Sequence, residues 1–244
     1  EIDRELEFYP LEATANATDT GRATAAAGKE VLGALSQAAE LAAEGEIDGF
    51  VFAPLNKQAM HMAGLGFEDE MQFLKSHLGF EGEVGELNVL EKLWTSRVTS
   101  HVAIREVADH ITADGIERAI GLLDRSLRAS GLAKPRLAVA ALNPHAGDGG
   151  NFGREEIDVI APAVVQAAAN GASVEGPYPS DTVFVRAKEG VYDGVVTMYH
   201  DQGQIAMKLM GFGSGITVLG GLPFPVTTAA HGTAFDIAGK GKAD

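Results

Sequence analysis

Two patterns of apolar and polar positions alternate along the chain, short continuous apolar runs and longer segments with helical spacing. An alanine-rich segment, residues 20–44, predicts a long helix that ends at Gly45. Helical spacing also extends over residues 58–80, 105–131 and 154–170. The apolar runs predict strands at residues 48–54, 97–104, 137–142, 183–186 and 194–198. Strands that alternate with helices indicate an α/β fold.

Composition and charge narrow the classes of function. The 244 residues include 34 acidic and 19 basic ones, for a formal net charge of −15, and no cysteine. This acidity argues against nucleic acid or an anionic membrane as partner, and no apolar run is as long as a membrane span. The lack of disulfides and of a signal peptide favours a cytoplasmic protein. The chain opens on Glu1 with an extended segment predicted over residues 1–10, and we expect it to be an internal piece of a longer protein.

Three histidines, His101, His145 and His200, lie within or just beyond predicted strands. Because parallel strands end at one edge of a sheet, three distant imidazoles can share one metal ion there. Imidazole suits Zn, Mn, Fe, Co or Ni, and three ligands leave positions open for substrate. Each histidine taken alone fits an ordinary core or surface residue equally well, and no HxH or HExxH motif decides the matter. The helical segments place three others at the surface, His61, His77 and His110.

A glycine-rich loop, LNPHAGDGGNFGREEID at residues 142–158, follows the most apolar strand. Its glycines permit close backbone approach, and their N–H groups can cradle an anion at a helix start. The alternative is an ordinary loop. The stretch matches neither the GxGxxG fingerprint nor a P-loop, so it supports neither a usual dinucleotide site nor an ATP site.

A second loop, HGTAFDIAGKG, runs over residues 231–241. In a nucleotide-binding loop, Asp236 can accept a hydrogen bond from a ribose 2′-hydroxyl and would repel a 2′-phosphate, which favours NAD over NADP. The alternative is a helix entry capped by Thr233.

Four further charged residues are candidates for chemistry, and two of them, Lys57 and Lys208, lie near predicted strand ends. Lys57 and Lys208 are candidates for general acids or for holding a carboxylate. Asp181 and Asp201 are candidates for bases or for side chains that orient the histidines. Solvated surface charges remain the alternative for each.

Three motifs taken together closely resemble the PdxA family, named for 4-hydroxythreonine-4-phosphate dehydrogenase of vitamin B6 biosynthesis. They are the glycine-rich loop, MYHDQG at residues 198–203 and HGTAFDIAG at residues 231–239, and the resemblance covers about residues 15–244. It implies two α/β subdomains with a cleft between them, similar to isocitrate and isopropylmalate dehydrogenases. It also implies a homodimer with the active site near the subunit interface. The family's N-terminal and C-terminal segments are expected to be absent, and the subdomain boundary stays open.

The resemblance also implies a site. The family's metal-binding histidines correspond to His101, His145 and His200, which would hold a divalent ion such as Zn, Mn, Co or Mg. Lys208 matches the family's substrate lysine and, with Asp181 and Lys57, is a candidate for proton transfer and substrate positioning. NAD would lie against the second loop, at His231, Gly232, Thr233, Asp236 and Ile237.

Other substrate positions of the family are changed. Its His-Thr pair corresponds to Glu70 and Met71, and its Asn and Arg correspond to Thr217 and Val226. These changes remove groups that grip a phosphate dianion, and Glu70 would repel one. The sequence therefore predicts an unphosphorylated substrate, as in the related terephthalate dihydrodiol dehydrogenases.

These residues predict an NAD- and metal-dependent dehydrogenase that oxidises a secondary alcohol of a hydroxy acid or diol carboxylate, with decarboxylation where a β-carboxylate is present. One alternative is a genuine 4-hydroxythreonine-4-phosphate or phosphothreonate dehydrogenase. Another is a non-catalytic ligand-binding module on the same scaffold, and a third is a structural α/β domain. The histidines argue against the binding module, because a binder has no use for an open metal position.

Overall fold

The computed structural model describes residues 21–242, and the chain divides into two compact units. The smaller unit is formed by Glu1–Glu81 and His231–Asp244, and the larger by Gly82–Ala230. The extended segment predicted over residues 1–10 lies outside the described residues. No helix among residues 21–242 combines the length and the apolar character that crossing a membrane requires.

The smaller unit is mainly helical. Its elements are α1 (Ala25–Ala43), β1 (Phe50–Phe52), α2 (Lys57–Met62), α3 (Glu70–His77) and a 3₁₀ turn at Phe235–Ile237. Each helix begins at a capping side chain, Thr24 for α1, Asn56 for α2 and Asp69 for α3, which accepts a hydrogen bond from a backbone N–H of the first turn. The predicted helix over residues 20–44 is confirmed, and the helical spacing over residues 58–80 resolves into α2 and α3.

The larger unit is built on a mixed sheet. Its strands are β2 (Gly85–Leu90), β3 (Leu93–Arg97), β4 (Leu137–Ala140), β5 (Val174–Tyr178), β6 (Gly194–Thr197), β7 (Gly215–Gly220) and β8 (Val226–Ala229). They lie in the order β8-β7-β2-β3-β6-β4-β5. Strands β3, β6, β4 and β5 are mutually parallel, whereas β2, β7 and β8 pair antiparallel. The α/β class is therefore confirmed.

Helices cover both faces of the parallel half, and their bounds are α4 (Val107–His110), α5 (Ala113–Ala129), α6 (Ala161–Ala169), α7 (Ser180–Lys188) and α8 (His200–Gly211). Successive side chains of a strand point to opposite faces of the sheet. On one face, Leu137 and Val139 of β4 pack in a core shared with α5 and α6. Its Ala138 and Ala140 enter a second core shared with α7 and α8. A strand buried on both faces explains the continuous apolar run at this position.

The predicted strand at residues 97–104 is wrong. The apolar run before it forms a hairpin, with Glu91 at φ 51° in the tight turn between β2 and β3. The strand therefore begins earlier, at Leu93, and ends at Arg97. His101 lies in the connection that follows, ahead of a 3₁₀ turn at Ile104–Glu106.

Other elements also differ from prediction. Residues 183–186 belong to α7, because Val183, Phe184 and Ala187 are buried at helical rather than alternating spacing. The helix predicted over residues 105–131 is interrupted at Ile111, and α5 begins afresh with Thr112 as its N-cap. Strand β5 was not predicted, since Gly176 and Pro177 break its pattern; proline is tolerated there because β5 lies at the sheet edge.

Candidate functional site

The three candidate metal ligands follow three neighbouring parallel strands. His101 comes after β3, His200 after β6 and His145 after β4, and β6 lies between the other two strands. All three histidines therefore belong to the carboxyl edge of the sheet, where open α/β sheets bind ligands. The rings of His101 and His200 have their centroids 6.0 Å apart, tilted by 45°.

Buried polar side chains tie these strand ends together. The Thr99 hydroxyl donates to the backbone oxygen of Met198 at 2.8 Å, which joins the end of β3 to the end of β6. Gln202 joins β6 to β4, because its Oε1 accepts from the N–H of Met198 and its Nε2 donates to the oxygen of Ala141, both at 2.8 Å. The backbone from which His101 and His200 project is thus fixed by hydrogen bonds in the sheet's interior.

His145 lies in a tight left-handed turn that the glycine-rich loop forms at Pro144–Gly150. Three residues other than glycine have positive φ there, His145 at 53°, Ala146 at 54° and Asp148 at 45°. For L-residues this conformation costs roughly 1–2 kcal/mol each, so the surrounding structure must impose it. The loop presents the His145 side chain to solvent, with its ring centroid 6.2 Å from that of Phe152.

The donors match a divalent transition metal in chemistry. Imidazole nitrogens are the expected ligands, and His200 Nδ1 lies 2.7 Å from Asp201 Oδ1, a contact that leaves Nε2 directed away for coordination. Among residues 21–242, no three His, Asp or Glu side chains stand together closely enough to hold one ion as they are placed. The set fits such an ion in the chemistry of its donors, because three imidazoles lie along one edge of the sheet and those of His101 and His145 are exposed.

The remaining helical histidines are surface residues, as predicted. His77 contacts Glu40 through Nε2 at 3.0 Å, His61 contacts the backbone oxygen of Leu65 through Nδ1 at 3.3 Å, and all three, His110 included, are exposed.

Two of the candidate proton-transfer residues belong to the same unit as the histidines. Asp181 is exposed in the first turn of α7, just past the carboxyl end of β5, the strand next to β4. Helix α7 also packs beside the turn that carries His145. Lys208 is exposed on α8, the helix that begins at His200. The third candidate, Lys57, is the first residue of α2 in the smaller unit.

The substituted substrate positions are mostly buried. Glu70 and Met71 open α3 with 7% and 8% of their surfaces exposed. Glu70 Oε2 lies 3.7 Å from Lys57 Nζ and has no hydrogen-bond partner among the described residues. Thr217 in β7 accepts a hydrogen bond from Asn88, and Val226 in β8 is completely buried. Val226 therefore has the environment of a core side chain.

The second loop is exposed and irregular. His231 contacts the backbone oxygen of its neighbour Gly232, and Asp236 sits in the 3₁₀ turn at Phe235–Ile237 with its side chain in solvent. Thr233 does not cap this turn, so the alternative of a Thr233-capped helix is wrong. Residues from His231 to Ile237 remain candidates for nucleotide contact.

Sequence reasoning did not single out Thr99 or Glu156. Glu156 is 3% exposed and accepts hydrogen bonds from the backbone N–H groups of Leu142 and Asn143 and from the Asn143 side chain. Its place near the end of the glycine-rich loop, among other charged residues, gives no signal that its side chain is buried.

The sequence is similar to a known protein family and to several proteins with assigned names. The family model described as pyridoxal phosphate biosynthetic protein PdxA matches residues 2–244. A Pseudomonas aeruginosa protein provisionally named 4-hydroxythreonine-4-phosphate dehydrogenase 2 is 54% identical over 224 residues, which cover 91% of this chain and 66% of that protein. D-threonate 4-phosphate dehydrogenase of Salmonella typhimurium is 44% identical over 227 residues, 93% of this chain and 69% of that one.

Solved structures agree with the sequence relatives. The crystal structure of 4-hydroxythreonine-4-phosphate dehydrogenase from Klebsiella pneumoniae superposes with a TM-score of 0.82 at 46% identity, over 92% of this chain and 68% of that chain. A terephthalate 1,2-cis-dihydrodiol dehydrogenase from Burkholderia xenovorans gives a TM-score of 0.70 at 31% identity, over 96% and 73%. The chain spans about two thirds of the length of the curated relatives it matches.

Proposed function

Because the chain belongs to the PdxA family, we propose that it is an NAD- and divalent-metal-dependent dehydrogenase that oxidises a secondary alcohol of a hydroxy acid. The observation that carries the proposal is the placement of His101, His145 and His200 at the carboxyl ends of three neighbouring parallel strands. A non-catalytic binding module has no need of three imidazoles at one sheet edge.

The metal, when bound by these histidines, would act as a Lewis acid that lowers the pKa of the substrate hydroxyl. Asp201 orients His200 so that the nitrogen facing away from the carboxylate is available. Asp181 and Lys208 are exposed on helices that begin at the same sheet edge, and we assign them to proton removal and to holding the substrate carboxylate. NAD, when bound, would accept the hydride from the carbon that carries the hydroxyl. A β-carboxylate, where the substrate has one, would then leave as CO₂.

We assign the nucleotide to the loop from His231 to Ile237. The exposed carboxylate of Asp236 suits the 2′-hydroxyl of NAD and disfavours the 2′-phosphate of NADP.

We also propose that the protein acts in the cytoplasm as a homodimer. Sedimentation of the purified chain at twice its monomer mass is the expected result.

For the substrate, relatives that are 44–54% identical are named for phosphorylated hydroxy acids. We therefore propose a compound of the 4-hydroxythreonine 4-phosphate or D-threonate 4-phosphate class. The repulsion expected from Glu70 is reduced by the Lys57 ammonium 3.7 Å away.

A second candidate is an unphosphorylated hydroxy acid or diol carboxylate. The buried Glu70 carboxylate favours it, because Oε2 has no hydrogen-bond partner among the described residues and could accept one from a substrate hydroxyl. The dihydrodiol dehydrogenase with a TM-score of 0.70 supports the same reading.

Formation of NADH tests both candidates. The substrates are 4-hydroxythreonine 4-phosphate, D-threonate 4-phosphate, the unphosphorylated counterpart of each, and a carboxylated dihydrodiol. Each substrate is assayed with and without added Mn²⁺, Co²⁺ or Zn²⁺. We expect metal-dependent NAD reduction that is lost in His200→Ala and retained in His110→Ala. Faster turnover of the phosphorylated acid supports the first substrate class, and faster turnover of an unphosphorylated one supports the second. Activity that is independent of both metal and His200 would refute the proposal.

A further inference from the structure

Glu156 is a buried carboxyl group in a chain whose other acidic residues are mostly solvated. It opens a π-helical turn at Glu156–Ile160, immediately before α6, and only 3% of its surface is exposed. It pairs with no basic residue among those described; its oxygens are directed instead at the start of the glycine-rich loop. Burial of a carboxyl group is costly unless hydrogen bonds compensate for the lost water. The partners in those hydrogen bonds therefore indicate the structural role of Glu156.

The hydrogen bonds all go to the base of the loop that carries His145. Glu156 Oε1 accepts from the backbone N–H groups of Leu142 at 2.9 Å and Asn143 at 2.7 Å. Its Oε2 accepts from Asn143 Nδ2 at 3.0 Å. Three donors converge on two oxygens, an arrangement that suits an acceptor-only carboxylate and that an amide cannot reproduce.

Glu156 also shapes the left-handed turn itself. Gly147 is buried at φ 79°, and a Cβ added there would lie 2.7 Å from Glu156 Oε2 and 3.1 Å from the backbone oxygen of Gly153. The carboxylate thus fills the space that a side chain at Gly147 would need. The strained backbone of His145 and Ala146 is held between the fixed end of β4 and this carboxylate.

We propose that Glu156 is the positioning residue for His145, fixing the loop so that the imidazole stays at the carboxyl edge of the sheet, beside the strand that leads to His200. This inference rests on the proposed metal role of His145. Glu156 has no contact with the imidazole itself among the hydrogen bonds of the described residues; it acts through the backbone of Leu142 and Asn143. A ligand presented by a loop rather than by a strand end requires such an anchor, because loop freedom must otherwise be lost on binding.

The direct test compares Glu156→Gln with Asp158→Asn. Glutamine keeps the shape but turns one acceptor into a donor, which must face either the Asn143 Nδ2 group or the backbone N–H groups of Leu142 and Asn143. Asp158 lies in the same turn but is exposed and paired with Arg154 at the surface, which makes it a matched control. In metal-free protein, we expect amide hydrogen exchange over residues 142–153 to speed up in Glu156→Gln and to stay at the wild-type rate in Asp158→Asn. Unchanged exchange would overturn the proposed anchoring.

Titration with Zn²⁺ and Mn²⁺ tests the link to His145. Loss of a side chain that orients a ligand typically weakens metal binding about 10–100-fold, and we expect a loss of this size in Glu156→Gln. His145→Ala should weaken binding at least as much, and the double variant should bind no more weakly than His145→Ala alone. A purely structural role predicts instead that the two losses add, and additive losses would overturn the proposal.

Two further outcomes need their own readouts, namely a Glu156→Gln variant that does not fold and a wild-type protein that binds no metal. If Glu156→Gln does not fold, Asn143→Ala, which removes one of the three donors, should show the same effects at smaller size; wild-type exchange and metal affinity in that variant would overturn the proposal. Wild-type protein that binds neither ion would overturn the metal role of His145 and this inference with it. In that case the exchange measurement still reports whether Glu156 holds the loop.

Discussion

Gly28 and Gly33 lie on the same helix, α1, and differ in what surrounds them. A Cβ added to Gly28 would lie 2.0 Å from the backbone oxygen of Ala59, because α1 and α2 cross there in close contact. Gly33 is exposed and has no atom within 4 Å of such a Cβ. The sequence shows both only as glycines within an alanine-rich helix, so the close crossing could not be predicted from it.

We predict opposite effects for alanine at these two positions. Gly28→Ala should lower the free energy of unfolding by roughly 1–3 kcal/mol, because the helices must separate to admit the methyl group. Gly33→Ala should raise it by roughly 0.5–1 kcal/mol, since alanine loses less backbone entropy in a helix. Urea denaturation of both variants measures the difference. Equal effects of the two substitutions would contradict the described crossing.

At the scale of elements, one ion pair ties the amino ends of the parallel strands, opposite the histidines. Asp193 precedes β6 and accepts from the Arg136 side chain through both oxygens, at 2.7 and 3.0 Å, and from the Arg136 backbone N–H at 2.8 Å. The Arg136 side chain, which precedes β4, lowers the pKa of Asp193, and burial opposes this shift without cancelling it.

The sign of the resulting pH dependence follows from that lowered pKa. The carboxylate form is favoured by the folded state, so its contribution to stability is complete above the unfolded-state pKa of about 3.9 and is lost as pH falls through the lower folded-state value. Asp193→Asn should therefore be less stable than wild type at pH 7 by on the order of 1 kcal/mol. The gap should shrink as pH falls below about 4. Denaturation of both proteins from pH 7 to pH 3 provides the check, and a gap that stays constant would contradict the ion-pair account.

How far an element could be predicted depended on its burial. Strands β4 and β6 are buried on both faces, so their continuous apolar runs identified them. Strand β5 lies at the sheet edge, and its Gly176-Pro177 pair breaks the apolar pattern of a strand. Residues 183–186 of α7 are too few to separate helical from strand periodicity. The strand predicted around His101 is wrong because the chain turns at Glu91. Glu91 has a left-handed backbone conformation, and a glycine, which would have indicated such a turn, is absent from that position.

At the scale of the whole molecule, the sequence predicted the edge of the sheet better than the details of the site. Parallel strand ends meet at one edge, and this rule predicts that His101, His145 and His200 lie along that edge. It could not show that Thr99 and Gln202 lock the strand ends, or that Glu156 anchors the loop, since these contacts join segments distant in the chain. The roles of the loop from His231 to Ile237 and of Glu70 stay predictions.

The most direct test of the account is the metal content and affinity of the purified protein. We predict one Zn²⁺ or Mn²⁺ per chain in the wild type. His101→Ala, His145→Ala and His200→Ala should each weaken binding by more than the ~10–100-fold loss typical of residues that only orient a ligand. His110→Ala, exposed on α4, should bind as the wild type does. A wild type without stoichiometric metal, or histidine variants that bind it unchanged, would contradict the central claim that these three strand ends form a single metal centre.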